Sequence, residues 1–292
     1  MTPEYAVTHN GKFHADDVFA SAMLKKLFDG IQIIRSRDES VIQNAPFVFD
    51  VGGSYDHALR RYDHHQLGAP KRSGGLTRSA FGLLWLHYGE EYCGGDVTIA
   101  QRIDDVLVRG IDARDNGELI SENEPNSAPD YGISQVIEQL NPILQRDESF
   151  DAQFVIAVGR AAEILERLYA VTQAEIESEA YVVRAHSLSP DPRYVMLDLQ
   201  ISPSEAMSAI NGLEYIVFPE STNKTWQIFA THQPGSPFQI KRPLPQEWAG
   251  LKEAELAETT GVSDALFCHK KRFLAVAKTQ VGARELLSKA LE

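Results

Sequence analysis

The chain of 292 residues has only two cysteines, Cys93 and Cys268, and they form no CxxC pair. This argues against a disulfide framework and against a zinc–thiolate site. No apolar run approaches the roughly 18 residues that a membrane-spanning helix needs, so no membrane association is expected. The opening MTPEYAVTHNGKFHADD carries neither a basic stretch nor an apolar one, and a cytoplasmic protein is the default expectation. Basic charge is scarce too. There are 28 Lys and Arg against 41 Asp and Glu, a formal net charge of −13. The deficit sits in residues 1–185, with 17 basic against 29 acidic side chains, whereas residues 186–292 hold 11 against 12. An acidic chain argues against non-specific binding to long duplex nucleic acid, which needs basic surface. It leaves room for a phosphate substrate if bound cations neutralise part of the acidic half.

What is present is ordinary in bulk and unusual in detail. Hydrophobic content of 43% and charged content of 24% fit a soluble globular protein. The length suggests two domains. EYAVTH reads as a strand ending at His9, and ADDVFASAMLKKLF as a helix with Asp16 and Asp17 in its first turn, where the helix dipole favours carboxylates. IQIIRS and PFVFDVGG read as further strands, the latter ending at Asp50. RRYDHHQ follows, then a glycine-rich loop, GAPKRSGG, and the helix TRSAFGLLWLHYG, closed by its glycine. VTIAQRIDDVLVRGIDARDNG reads as one helix ending near Asn116–Gly117. Strands alternating with helices indicate an α/β fold with a parallel sheet. The periodic stretch from about 149 to 183 reads as a long helix that connects this domain, residues 1–185, to a smaller α+β domain, residues 186–292. There YVMLDL, YIVFPE and WQIFATHQ read as strands, and EAELAETTG and GARELLSKAL as a last helix pair.

The stretch YDHHQ sets Asp63 directly before His64 and His65 in a chain with nine histidines. His9 ends the first strand, His14 and Asp16 open the next helix, Asp50 ends the third strand, and Asp112 and Asp115 close a later helix. Each alone has a bland account, such as a strand-end histidine or a helix-dipole carboxylate. Together they fall at or near the carboxyl edge of a parallel sheet, where ligands bind in open α/β folds. Converging imidazoles and carboxylates without thiolate suit manganese, magnesium, iron or zinc, with manganese a good fit. Two metals sharing a bridging carboxylate would account for the ligand count and relieve the repulsion among the aspartates.

In order and spacing these motifs resemble the DHH phosphoesterase superfamily, and more closely the melanocyte-proliferating-gene family, sometimes labelled metal-dependent protein hydrolase. The matching stretches are THNGKFHADD, VFDVGG, RYDHHQ, IDARDNG, IVFPE, FQIKRPLPQEWAGL and LFCHKKRF, spread over both halves of the chain. The first motif departs from the superfamily's HxxxDxD by one residue of spacing, with His14 where an aspartate is usual. CHKKRFLAVAKT stands where the superfamily tends to have a glycine-rich substrate loop. The resemblance implies that His9, His14, Asp16, Asp50, His64 and one of Asp112 or Asp115 bind metal, with Asp50 bridging. It also implies that His65 faces the phosphate and that Asp63 orients a histidine from behind, as carboxylates do for metal-bound imidazoles. The implied activity is phosphodiester hydrolysis, by an exonuclease acting on single-stranded RNA or short oligonucleotides. Lys241, Arg242, His269, Lys270, Lys271 and Arg272 are the clustered positive features of the second domain that would meet its backbone, and Arg78 is a further phosphate candidate. A small-molecule phosphatase or a non-catalytic metal or nucleotide sensor would use the same metals. A peptide hydrolase has no HExxH here to support it. The sequence leaves the oligomeric state open, a homodimer being one option.

Overall fold

The computed structural model describes residues 3–118 and 131–292. It divides into two compact units, Met1–Thr172 and Gln173–Glu292. The division falls inside the long helix, ahead of the boundary expected at 185/186.

The first unit is built on a five-stranded sheet. Its elements in chain order are β1 (Tyr5–Thr8), α1 (Ala15–Leu27), β2 (Gln32–Arg35), α2 (Glu39–Asn44), β3 (Val48–Phe49), β4 (Tyr55–Asp56), β5 (Arg61–Tyr62), α3 (Ala80–Tyr92), α4 (Val97–Ile103), α5 (Arg109–Asp115), α6 (Ile133–Glu138) and α7 (Phe150–Ser187). The strand order is β2-β1-β3-β5-β4. The first four of these pair in parallel and β4 closes the edge antiparallel to β5. The connection leaving β1 turns to one side and β3 lies on the other, so the order reverses at β1/β3. That is the switch point where a crevice opens beyond the strands' carboxyl ends.

Burial explains why the strands hold their register. Val7, Phe47, Val48 and Phe49 are buried, and Tyr62 stacks on Phe47 with ring centroids 5.2 Å apart. α1 packs against α3, α5 and α6, and residues Ala15 to Leu24 are all buried. It is therefore a central helix rather than an amphipathic surface one.

Two helix readings change. α3 does not end at Gly89 but runs on to Tyr92, and Gly94 and Gly95 with positive φ end it. Gly89 serves packing instead. A Cβ there would stand 2.8 Å from Nε1 of Trp85, which donates to the Ala100 carbonyl. The expected single helix over 97–117 is interrupted by a π turn at Asp104–Val108 between α4 and α5, a widening common beside functional sites.

The second unit contains β6 (Tyr194–Met196), α8 (Glu205–Ser208), β7 (Tyr215–Glu220), β8 (Thr225–Ala230), β9 (His232–Gln233), β10 (Ser236–Ile240), α9 (Glu253–Thr260), β11 (Ala265–Cys268), β12 (Leu274–Ala277) and α10 (Gln280–Leu291). Its main sheet runs β11-β12-β8-β7-β6, antiparallel except for β6 with β7. The β11–β12 hairpin occupies LFCHKKRFLAVA, read from sequence only as a motif. The fold is thus mixed α/β, with a parallel-rich sheet in the first unit and a separate, mostly antiparallel sheet in the smaller second unit. Among the described residues no helix is long and apolar enough to cross a membrane.

Candidate metal centre

Three strands each deliver a chemical group where they end: β1 gives His9, β3 gives Asp50, and β5 gives Asp63, His64 and His65. α1 begins beyond the same edge and brings His14, Asp16 and Asp17, while α5 ends there with Asp115. The backbone at Asp50 is left-handed, with φ 53°, followed by Gly52 and Gly53 at 98° and 66°. A non-glycine residue pays of order 1 kcal/mol or more for this. The turn is held because Asp50 N–H donates to the Tyr62 carbonyl and Asp63 N–H to that of Ser54.

Asp50 is the centre of the geometry. Its Oδ2 lies 3.1 Å from Nε2 of His9 and its Oδ1 lies 3.4 Å from Nε2 of His64. Three groups of side chains each bring ligand atoms within 4.8 Å of one another: His9 with Asp17 and Asp50; His14 with Asp16 and Asp115; and Asp50 with Asp63, His64 and His65. His64 joins the second group to the third, with Nε2 3.1 Å from Asp115 and 3.8 Å from Asp16. The crevice lined by His9, His14, Asp50, Asp63, His64, His65 and Asp115 has a volume of about 460 Å³, with Asp16 and Asp17 buried behind it.

The donor chemistry fits divalent cations. Both oxygens of Asp16, Oδ2 of Asp17 and Nε2 of His64 are buried without a hydrogen-bond partner. Unpaired buried polar atoms are costly and rare in folded proteins. Here several converge, all of types that bind hard or borderline cations. Burial, followed by the charge of Asp50, pushes the Asp16 and Asp17 carboxyls well above the ordinary carboxylate range. Burial also raises Asp115, against the opposing pull of His64. Asp50 goes the other way: burial tends to raise it, but the combined pull of the neighbouring His64 and His9 rings outweighs this. Burial tends to lower His9 and His64, but the neighbouring carboxylates, Asp50 with Asp17 for His9 and Asp50 with Asp115 for His64, together outweigh it and both end raised. His14 is lowered, mainly by burial.

The surrounding contacts set orientation. His9 Nδ1 faces the Asn10 carbonyl at 3.2 Å and His64 Nδ1 faces Oδ1 of Asn116 at 3.2 Å. Each acceptor draws the ring proton to Nδ1 and frees Nε2 for the crevice. Asp63 Oδ1 accepts from His65 Nδ1 at 2.6 Å and from the backbone N–H of His64 and His65, and its Oδ2 accepts from Gly53 N–H. Its partner ring is thus that of His65, whose side chain is 62% exposed at the rim.

The sequence left Asp112 and Asp115 as alternatives, and the structure separates them. Asp115 lies in the crevice, whereas Asp112 is fully buried one turn earlier, accepting from Ser79 N–H, Ser79 Oγ–H and Arg72 Nε. Arg78 is not at the metal crevice. It borders a separate cavity beside the glycine-rich loop and donates to the Gly82 carbonyl. In the second unit, Lys241 Nζ donates to the Ile210 and Leu213 carbonyls, Arg242 pairs with Glu214 at 3.5 Å, and Arg272 donates to the Leu244 carbonyl. These three serve their own unit. His269 accepts from Lys271 N–H in the β11–β12 turn, where Lys270 and Lys271 are exposed.

Sequence reasoning missed four residues. Asp17 was read as a helix-dipole carboxylate. Its Oδ1 does cap His14 N–H, but Oδ2 faces His9 at 3.4 Å. Arg37 lines the crevice from beyond β2, and its position after a parallel strand was a usable signal. Arg72 and Asn116 carried no local signal, because their partners are distant in sequence.

A sheet edge carrying such a crevice defines an α/β protein whose acidic and histidine clusters could hold divalent cations. The chain belongs to the family described as an uncharacterised protein family, UPF0160, whose model, MYG1_exonuc, matches residues 5–291. This bears out the family resemblance read from the motifs. It is 30% identical to MYG1 protein C27H6.8 of Caenorhabditis elegans, over 98% of this chain and 94% of that one. It is 27% identical to the MYG1 exonuclease of Homo sapiens, over 97% and 84%, and 30% identical to a MYG1 protein of Chlamydia pneumoniae, over 99% and 97%. A solved pGpG-specific phosphodiesterase, PggH from Vibrio cholerae, aligns over 100% of this chain and 97% of its own at 14% identity. Its TM-score of 0.33 is too low to carry an argument.

Proposed function

We propose that the protein is a divalent-metal-dependent phosphodiester hydrolase, an exonuclease that shortens single-stranded RNA or short oligonucleotides. Manganese is the proposed metal and the cytoplasm the proposed compartment. The observation that carries this reading is Asp50, which turns one oxygen towards His9 and the other towards His64 amid buried carboxylates that lack donors. Names among the relatives, such as MYG1 exonuclease, support the same class.

His9, Asp17 and Asp50 would hold one cation, and His14, Asp16, Asp115 and His64, with the other oxygen of Asp50, a second. Bound cations supply Lewis acidity and hydroxide near neutral pH. The chain's own residues do the rest. The carbonyl of Asn10 and the amide of Asn116 hold the two ring tautomers. Asp63 holds His65 and raises its pKa, the hydrogen bond between them being the main cause. A cationic His65 at the rim is suited to stabilise charge on a phosphoryl oxygen. Lys270 and Lys271 are the proposed backbone-phosphate contacts of the second unit.

The test is hydrolysis of single-stranded RNA, single-stranded DNA, dinucleotides and pyrophosphate by the purified protein with manganese. Stepwise shortening of RNA from one end, abolished by chelator, is expected. Turnover of pyrophosphate alone would favour a small-molecule phosphatase, and no turnover of any substrate would sink the enzyme reading.

A further inference from the structure

The metal crevice is not closed on its β2 side. Arg37, Val51 and Gly52 line it, and the same three residues line a second cavity of about 530 Å³ between α2 and the β3–β4 turn. Gly52 keeps the shared wall thin. A Cβ there would meet Cγ2 of Ile42 at 3.1 Å, and φ of 98° is left-handed.

Arg37 is the unusual feature of this wall. It is exposed, and it makes no hydrogen bond or ion pair with any described residue although it borders an acidic crevice. Its neighbour in the second cavity, Arg61, is by contrast spent on the Leu59 and Ala45 carbonyls. A guanidinium left without partners at the rim of a cation centre is suited to the planar, bidentate grip of a phosphate oxygen pair. Past it, Gln43 Nε2 donates to Oε1 of Glu39 at 2.9 Å. This joins the two side chains into one polar edge whose remaining oxygens can accept hydrogen bonds. Ile42 adds an apolar surface beside that edge. Acceptors next to an apolar patch match the hydroxyl donors and flat ring of a nucleoside.

We propose that this second cavity is the subsite for the nucleoside carried by the phosphate at the metal centre, with Arg37 gripping that phosphate across the shared wall. The proposal rests on the hydrolase reading above and narrows its substrate to nucleotide esters. It also predicts that a nucleoside monophosphate, a product of exonucleolytic trimming, binds better than phosphate alone.

The test is calorimetric titration of the full-length, manganese-loaded protein with inorganic phosphate and with adenosine 5′-monophosphate. Wild type should hold the nucleotide about tenfold more tightly or better, the scale of one charge-assisted contact. Gln43→Trp, which obstructs the cavity, should bring the ratio of the two affinities towards one, whereas Arg37→Ala, which removes the grip on the phosphate that both ligands share, should weaken both about tenfold and leave the ratio unchanged. Arg37→Lys should keep part of both affinities. Both positions are exposed, so the fold is expected to tolerate these changes. A wild-type ratio near one, a ratio that Gln43→Trp does not move, or affinities that Arg37→Ala leaves unchanged overturn the proposal. Hydrolysis of bis-p-nitrophenyl phosphate by wild type is measured in parallel. Hydrolysis with a ratio near one would reject the subsite and keep the enzyme reading. A ratio lost in Gln43→Trp, with no hydrolysis by wild type, would keep the subsite and reject the enzyme reading.

Discussion

Asn116 places its Oδ1 3.2 Å from Nδ1 of His64, across 52 residues of sequence. Its amide nitrogen is tied in turn to the Thr77 and Asp112 carbonyls, so the acceptor cannot swing away. Asn116→Leu should remove the acceptor that sets the His64 tautomer. The expected loss in manganese affinity is about 10- to 100-fold, read by titration with the metal. Asn116→Asp, which keeps an acceptor oxygen, should lose less. Equal affinity in Asn116→Leu and wild type would show that the ring is held by something else.

Asp50→Asn should abolish manganese-dependent turnover. Asparagine tolerates the left-handed backbone at this position, so the metal-free variant should melt close to wild type. Retained turnover would mean that another carboxylate joins the two halves of the centre.

His65→Ala should keep the metal and lose roughly two to three orders of magnitude in rate, as when one charge-stabilising donor is removed. Metal analysis beside the kinetics decides the matter. Parallel loss of metal and rate would make His65 a ligand.

Asp112 and Asp115 should separate cleanly. Asp112→Ala leaves Arg72 and Ser79 without their buried acceptor and should cost about 3–5 kcal/mol in stability, measured by denaturant unfolding. Asp115→Ala should lose metal with little loss of metal-free stability. The reverse pattern would reassign the ligand to Asp112.

Metal-free stability should fall as pH rises from about 5 to 8. Burial and neighbouring charge raise Asp16, and the same causes raise Asp17 to about 7. The folded chain therefore holds protons that the unfolded chain released near its ordinary pKa of about 4. The stabilisation linked to these protons is complete below that value and lost as pH passes the raised one. His9 and His64, also raised, act in the same direction; His14, lowered by burial, opposes part of it. Asp50 and Asp63 are lowered, so their contribution is lost only on acidification below about pH 4. Manganese takes the ionised ligands, so the gap in melting temperature between loaded and metal-free protein should widen with pH. A gap independent of pH would mean that these carboxylates are not displaced by metal.

Much of this protein is legible in its sequence because its chemistry is placed by local rules. The strands ending at His9 and Asp50 stop at readable points, and the Asp63–His65 run follows them, so these residues could be put at one edge without coordinates, although the short strand Arg61–Tyr62 that carries the run was not read as one. The long helix around Phe154 to Leu165 was legible from its period of apolar residues. Tertiary structure decided what depends on partners far apart in the chain. Asp112 and Asp115 differ by one helical turn, and only the packing of α5 against Ser79 and Arg72 tells the buried anchor from the crevice carboxylate. Asp17 looks like any acidic residue in a first helical turn until α1 is docked beside His9. Lys241 and Lys270 are alike as charges, yet one is spent on the carbonyls of its own unit and the other is exposed in a hairpin turn. A sequence pattern fixes which residues leave an element together. Which of their atoms remain unpaired is set by the neighbours that folding brings, and unpaired atoms are what bind a ligand.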